Sequence, residues 1–175
     1  MLSVERFDIS GRVMWIAVIS GDRIDGITFS LDGRGYLEER ITSLAGFLAK
    51  RGIKVNLEVE KSPFTKLVYD VMVGKLDNEE AMKYLSFRGV TPFERKVYEI
   101  LTKNVKRGSV ITYGELAGLA GTSPRAIGGA MKRNPYPVVV PCHRVVSSEG
   151  MGLYTPKMEY KKFLLELEGV EKWTG

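Results

Sequence analysis

The hydrophobic pattern of the first half of the chain predicts a hairpin, two helices and a further strand. An apolar run at 13–19, a turn and alternating apolar residues at 27–31 are typical of a β-hairpin. Apolar residues three or four positions apart predict helices over 37–48 and 64–72, and alternation predicts a strand at 53–59. Nothing in this half brings a nucleophile and a base together, so its expected role is that of a scaffold.

The second half opens with signals for three helices in succession. Pro92 stands at the start of the first, with an apolar stripe behind it. Thr112 is the predicted N-cap of the second, with Glu115 at the capping-box position. Ser123, followed by proline, is the N-cap of the third, which runs to about Lys132. Two short helices joined by a glycine-containing turn, the second of them basic, have the outline of a helix-turn-helix.

The third of these helices contains two adjacent glycines, Gly128 and Gly129. Each glycine costs a helix about 1 kcal/mol relative to alanine. The pair therefore indicates a close approach to the helix backbone, either by another helix or by a nucleic acid. Arg125, near the start of the helix, is expected on the same side.

The only cysteine and the only histidine of the chain, Cys142 and His143, are neighbours in an apolar run at 138–146. The run predicts a short strand that ends or bends at Pro141. A lone cysteine is often a small buried residue, but the imidazole beside this thiol favours a positioned nucleophile. In an extended strand the two side chains point to opposite faces, so they are not expected to touch.

Thr155 and Pro156 predict the start of the last helix, which ends near Glu168. A carboxylate at that end opposes the helix dipole, so an acid placed beside the core needs a cationic or hydrogen-bonding partner. His143 is the predicted partner. The alternative is a solvated glutamate at a frayed helix end.

Composition excludes several classes of site. With 175 residues the chain has room for one domain or two small ones. A single cysteine allows no intramolecular disulfide, and one cysteine with one histidine cannot build a zinc site of those residues. Because no 18-residue apolar run or signal-peptide pattern is present, a cytoplasmic, intracellular location is expected.

Positive charge is concentrated in the second half. The formal net charge is +5, yet ten basic residues stand against three acidic ones between positions 88 and 144. This asymmetry predicts a polyanionic partner. An ordinary basic, solvated surface is the alternative.

Five signatures follow one another in the second half of the chain. They are TYG at 112–114, RAIGGAM at 125–131, NPYP at 134–137, PCHRV at 141–145, and Tyr154 with Glu168 beyond it. In this order they resemble the O(6)-alkylguanine-DNA alkyltransferases (methylated-DNA–protein-cysteine methyltransferases). The resemblance covers about residues 90–170 continuously and the first half more weakly. It implies an α+β (α/β) fold.

The same resemblance implies a division into domains. An N-terminal RNase H-like α/β domain is expected over 1–85 and a linker over 86–91. A C-terminal winged helix-turn-helix-like domain that carries the cysteine is expected over 92–175.

The activity implied is the direct reversal of DNA damage, one lesion per protein molecule. Cys142 resembles the acceptor of the alkyl group of O(6)-alkylguanine, and of O(4)-methylthymine, after the nucleotide is rotated out of the duplex. A water is expected to link His143 to the cysteine while Glu168 orients the imidazole. The implied partner is double-stranded DNA, bound by a monomer without cofactor, metal or membrane.

Further roles follow from the resemblance residue by residue. Asn134 braces the turn that leads to the cysteine, Tyr113 promotes rotation of the nucleotide, and Arg125 fills the vacated stack. The base pocket is assigned to Met131, Pro137, Tyr154, Thr155 and the carbonyl of Val145. The DNA-binding surface is assigned to Thr112, Gly114, Ser123, Arg125, Ala126, Gly128, Gly129 and Lys132.

Three positions depart from the family pattern, and two rival functions remain open. Ser147 stands where some relatives have a second cysteine. Thr155 stands where some members have serine, and Pro156 replaces a glycine, which is expected to restrict bulky alkyl groups. One rival is a protein that recognises lesions without repairing them, although such relatives lack the acceptor cysteine. The other is a thiol hydrolase that uses Cys142, His143 and Glu168, for which no peptide or acyl site is recognisable.

Overall fold

The computed structural model of the chain describes residues 1–150, 152 and 157–171. Its strands are β1 (Leu2–Ile9), β2 (Arg12–Ser20), β3 (Ile24–Ser30), β4 (Ile111–Thr112) and β5 (Val145–Val146). Its helices are α1 (Arg34–Lys50), α2 (Phe64–Met72), α3 (Asn78–Met82), α4 (Pro92–Asn104), α5 (Tyr113–Ala120), α6 (Pro124–Lys132) and α7 (Met158–Leu167), with a 3-10 turn at Cys142–Arg144. The predicted α+β class is confirmed.

The first three strands form an antiparallel sheet with β2 in the centre. The predicted hairpin is formed by β2 and β3. The sequence analysis did not predict β1, because the middle residues of this strand are exposed and interrupt the apolar pattern. The strand predicted at 53–59 is wrong. Among the described residues this irregular segment makes one bridge, between Val59 and Leu2, because Leu57 and Val59 face solvent and form no buried row.

The sheet lies between two layers of helices. α1 packs Leu37 and Leu48 against one face, in a core that includes Ala17. The other face contributes to a larger core that α2 and the helices of the second half share. At the sheet edge, the Ile27 N–H donates to the Pro135 carbonyl at 2.9 Å. The first half is thus packed directly against the segment that leads to the cysteine.

The predicted linker at 86–91 is attached at several points. The Phe87 N–H donates to the Tyr136 hydroxyl at 2.9 Å, and Arg88 pairs with Asp25 at 2.9 Å. This segment therefore holds the two halves in one arrangement through specific hydrogen bonds.

The helix-turn-helix consists of α5 and α6, and its predicted caps are confirmed. Thr112 and Glu115 form a reciprocal capping box at the start of α5. The Ser123 hydroxyl accepts from the Ala126 N–H at 3.1 Å at the start of α6. No helix within the described ranges is long and apolar enough to cross a membrane.

The strand predicted over 138–146 is wrong for most of its length. β5 pairs in parallel with β4 and Val140 makes one isolated bridge with Pro137, while Val138 has a φ of 77° and Cys142–Arg144 is a 3-10 turn. Pro141 has no N–H to give to a strand ladder. The carbonyls of Val138 and Val139 accept instead from the Asn78 side chain, at 2.9 and 3.0 Å.

Candidate active site

Cys142 is a free, buried thiol at the start of the 3-10 turn. Its N–H donates to the Val140 carbonyl at 2.8 Å, which directs the chain back on itself at Pro141. Burial raises the pKa of the Cys142 thiol, although a hydrogen bond from Asn134 and the charge of Lys161 act against this rise. The resting residue is therefore a thiol that needs a base to become a thiolate.

Asn134 braces the approach to the cysteine, as predicted. Its amide nitrogen donates to the Val140 carbonyl at 3.2 Å, and its oxygen accepts from the Tyr136 N–H at 2.9 Å. Both ends of the amide thus hold the turn that precedes Cys142.

His143 and Glu168 are paired as predicted, with 2.9 Å between Nε2 and Oε2. Burial lowers the pKa of His143, against the opposing effect of the carboxylate, so the imidazole is neutral near pH 7. An ionised carboxylate only accepts hydrogen bonds, so Nε2 carries the proton and Nδ1 has the free lone pair. Nδ1 makes no hydrogen bond to the described part of the protein, which leaves it available to take a proton.

Arg144 is part of this network, and the sequence analysis missed its role. Its guanidinium is buried and binds both oxygens of Glu168, at 2.8 and 2.9 Å. It also donates to the Val105 carbonyl and to Asn78. The sequence analysis counted Arg144 among the basic residues expected to face a polyanion, but its guanidinium is buried and neutralised by Glu168.

Glu168 is consequently an ionised acid in a buried place. Burial raises its pKa, but His143 and Arg144 together outweigh burial and lower the pKa to about 2. The alternative of a frayed, solvated glutamate is excluded.

Lys161 is a second buried cation that the sequence analysis missed. Its ammonium donates to the Val145 carbonyl at 2.6 Å. Burial lowers its pKa to about 8, while the negative charge of a Cys142 thiolate raises it. The signal was present, because Lys161 precedes Leu164 by three positions and therefore shares the buried face of α7. The Val145 carbonyl keeps a second lone pair for another donor.

A cavity of about 690 Å³ opens beside Cys142. Tyr113, Met131 and Pro137, which were assigned to nucleotide rotation and the base pocket, line it together with the thiol. Tyr154 and Thr155, like Pro156, lie outside the described residues. Gly152 lies against Tyr113, where a Cβ would come within 2.8 Å of the ring.

The predicted DNA-binding residues lie on or next to the helix-turn-helix, and α6 carries most of them. Arg125 and Lys132 are exposed, and neither forms an ion pair with a described residue. A Cβ at Gly129 would meet the Arg133 guanidinium at 3.0 Å, whereas one at Gly128 would meet nothing within 4 Å. A side chain at Gly129 would therefore have to displace the Arg133 guanidinium, whereas no described atom would obstruct one at Gly128.

The described residues contain no group of three His, Cys, Asp or Glu side chains that could hold a metal ion. The chemistry offered by this site is that of a nucleophilic sulfur, a neutral base held by a carboxylate, and a nearby buried cation.

Two family models match the chain. Residues 1–88 match the N-terminal domain of methylated DNA-protein cysteine methyltransferases, and residues 92–170 match the DNA-binding domain of 6-O-methylguanine DNA methyltransferases. A methylated-DNA–protein-cysteine methyltransferase of Thermococcus barophilus is 64% identical over 175 residues, covering all of both chains.

One solved structure resembles the chain in both sequence and fold, and another resembles it in fold alone. The O6-methylguanine-DNA methyltransferase of Pyrococcus kodakaraensis strain KOD1 is 60% identical, with a TM-score of 0.95 over 97% of this chain and all of its own. Mycobacterium tuberculosis OGT in complex with DNA shares the fold at 21% identity, with a TM-score of 0.53 over 95% of this chain and 93% of its own.

Proposed function

The chain belongs to the methylated-DNA–protein-cysteine methyltransferases, which repair alkylated DNA by direct reversal, and we propose that Cys142 is its alkyl acceptor. The observation that carries this proposal is the position of Cys142. The thiol lines the cavity, and the residue beside it is a neutral imidazole held by an ionised carboxylate.

We propose that His143 Nδ1 is the base that receives the thiol proton. The two side chains are not hydrogen-bonded to each other, and we propose, as the family resemblance implies, that one water molecule relays the proton. Glu168 stabilises the imidazolium that forms, and Lys161 stabilises the thiolate. The arrangement applies the logic of a hydrolase triad to a thiol.

Transfer is a single displacement. The Cys142 sulfur attacks the alkyl carbon, the new S–C bond forms, and the C–O(6) bond breaks with its electron pair remaining on guanine. Tyr113 is the proposed proton donor to the ring as this charge develops, and it lines the same cavity. Because the product is a thioether, each molecule acts once, and no cofactor or metal enters the scheme.

The partner is DNA that contains alkylated guanine, and the same displacement is proposed for O(4)-methylthymine. The base must leave the duplex to reach the thiol, which costs a few kcal/mol of unstacking. We propose that α6 contacts the DNA, because this helix carries small residues and positive charge. Arg125, which is exposed, is proposed to fill the place in the base stack that the rotated nucleotide leaves.

The remaining assignments are also proposals. We propose an N-terminal domain over 1–85, a linker over 86–91 and a C-terminal domain over 92–175. We also propose that the protein acts inside the cell, where its substrate lies, and that it acts as a monomer.

The test is the mass of the protein after mixing with a duplex that contains one O(6)-methylguanine. The expected result is a gain of one methylene on the peptide that holds Cys142, stopping at one equivalent. Cys142→Ala should show no gain while it still binds the duplex.

The rival functions predict different outcomes. Tight binding without any mass gain would indicate lesion recognition only. Turnover beyond one equivalent, or neither binding nor transfer, would point to a thiol hydrolase.

A further inference from the structure

One wall of the cavity of about 690 Å³ at Cys142 belongs to the first half of the chain. Arg40, Ser43, Leu44 and Phe47 of α1 form that wall. We propose that this wall, anchored by Arg40, binds a phosphodiester of the DNA strand that carries the lesion. The proposal rests on the proposed function and adds a DNA contact in the half predicted to be only a scaffold.

Arg40 is unusual among the arginines of the chain. Only three of them are buried or half-buried, namely Arg40, Arg51 and Arg144. Arg51 holds Glu94 and Arg144 holds Glu168. Arg40 has a buried Nε without a hydrogen bond to any described residue, and its side chain forms no ion pair with them. A partly desolvated cation without a partner costs stability, so an anion supplied by a ligand is the expected reason for its place.

The charge of the cavity fits a phosphate. Among the described residues, its lining includes Arg40, Lys132 and Arg133 but no carboxylate. Arg133 is bound to Glu94, which Arg51 already neutralises, so this cluster keeps a net positive charge. A lining with several cations and no acid favours a polyanion over a neutral or cationic ligand.

The position of this wall is consistent with the path that the lesion-bearing DNA strand would take to Cys142. α1 lines the same cavity as Gly128 and Gly129 of α6, the helix assigned to DNA. Because no described residue fills the space at Gly128, the cavity stays open between the two helices. A nucleotide that reaches Cys142 brings its flanking phosphates into this space.

The experiment measures binding of duplex DNA with one O(6)-methylguanine between 50 and 200 mM salt, in a Cys142→Ser background that prevents transfer. Arg40→Gln is expected to weaken binding roughly tenfold at low salt and to reduce the slope of log K against log salt by about one. Arg40→Lys should keep most of the slope. Arg34→Gln is the matched control, since Arg34 is on the same helix but does not line the cavity.

A second measurement uses free O(6)-methylguanine base and the intact Cys142. Arg40→Gln should react with the free base at the parental rate, because the base has no phosphate. Unchanged duplex binding, or an equal loss with duplex and free base, would overturn the assignment of Arg40 to a phosphate. Failure of the proposed function is distinguishable, since the parental protein would then transfer nothing from either substrate.

Discussion

At the scale of single residues, one carboxylate organises the site. Glu168 binds His143 and Arg144 at once, and all three side chains are almost fully buried. The position of Glu168 at the end of α7 predicted a partner, and His143 is confirmed as one. Arg144 was not expected, because a charged residue next to the active site reads as part of a DNA-binding surface.

We predict that Glu168→Gln destabilises the protein by about 3 kcal/mol near pH 7, because it leaves the Arg144 charge buried and unpaired. Denaturant unfolding measures the change. Glu166→Gln on the same helix is the control, because Glu166 is exposed, and its effect should stay within about 0.5 kcal/mol. Equal effects of the two substitutions would mean that the buried pair adds nothing to stability.

At the scale of elements, α6 is well specified by its own residues. Ser123 caps it, proline follows, and Ile127 and Ala130 are its buried positions. Its two glycines have different environments, because only Gly129 is covered by the Arg133 side chain. The two glycines can therefore be tested separately.

Gly128→Ala is predicted to raise the stability of the protein by about 0.5–1 kcal/mol, because the new methyl meets no atom of the described residues and alanine favours the helix. It should at the same time weaken binding of alkylated duplex, since the methyl enters the space assigned to DNA. Thermal unfolding and a binding titration measure the two effects. Unweakened binding would mean that no DNA comes close at this position.

At the scale of the whole molecule, ion pairs tie the two halves together. Glu94 of α4 accepts from Arg51 at the end of α1 and from Arg133 after α6. Burial raises the pKa of Glu94, but these two arginines and the Thr91 N–H outweigh burial and lower it to about 2. The folded pKa lies below the ordinary value, so this contribution is complete above about pH 4.5 and is lost as the pH falls towards 2.

We therefore predict that the free energy of unfolding falls as the pH is lowered from 5 to 3. Glu94→Gln is expected to remove about 3 kcal/mol of stability at neutral pH. Because the substituted side chain does not titrate, the fall with pH should be shallower in this variant. Denaturant unfolding at several pH values measures both. Glu99→Gln, an exposed acid on the same helix, should leave the pH dependence unchanged. An identical fall in Glu94→Gln would show that other groups control acid stability.

Local signals in the sequence were sufficient to predict most of the helices, the candidate site and the family. Helix caps such as Thr112 and Ser123, and apolar residues at helical spacing, predicted α1, α2, α4, α5 and α6, since these features act within one or two turns of chain. The cysteine and its histidine neighbour predicted the position of the proposed reactive centre, and the order of five signatures predicted the family, which is confirmed.

Only the tertiary structure decided which long-range partners the polar groups take. Asn78 satisfies the carbonyls of Val138 and Val139, so a run of valines that predicts a strand becomes an irregular segment. Arg144 and Lys161 are buried cations because Glu168 and Val145 reach them from other elements. Arg40 meets the cavity through the packing of α1 against the sheet. These contacts join residues far apart in the chain, and hydrophobic periodicity carries no information about which distant groups will meet.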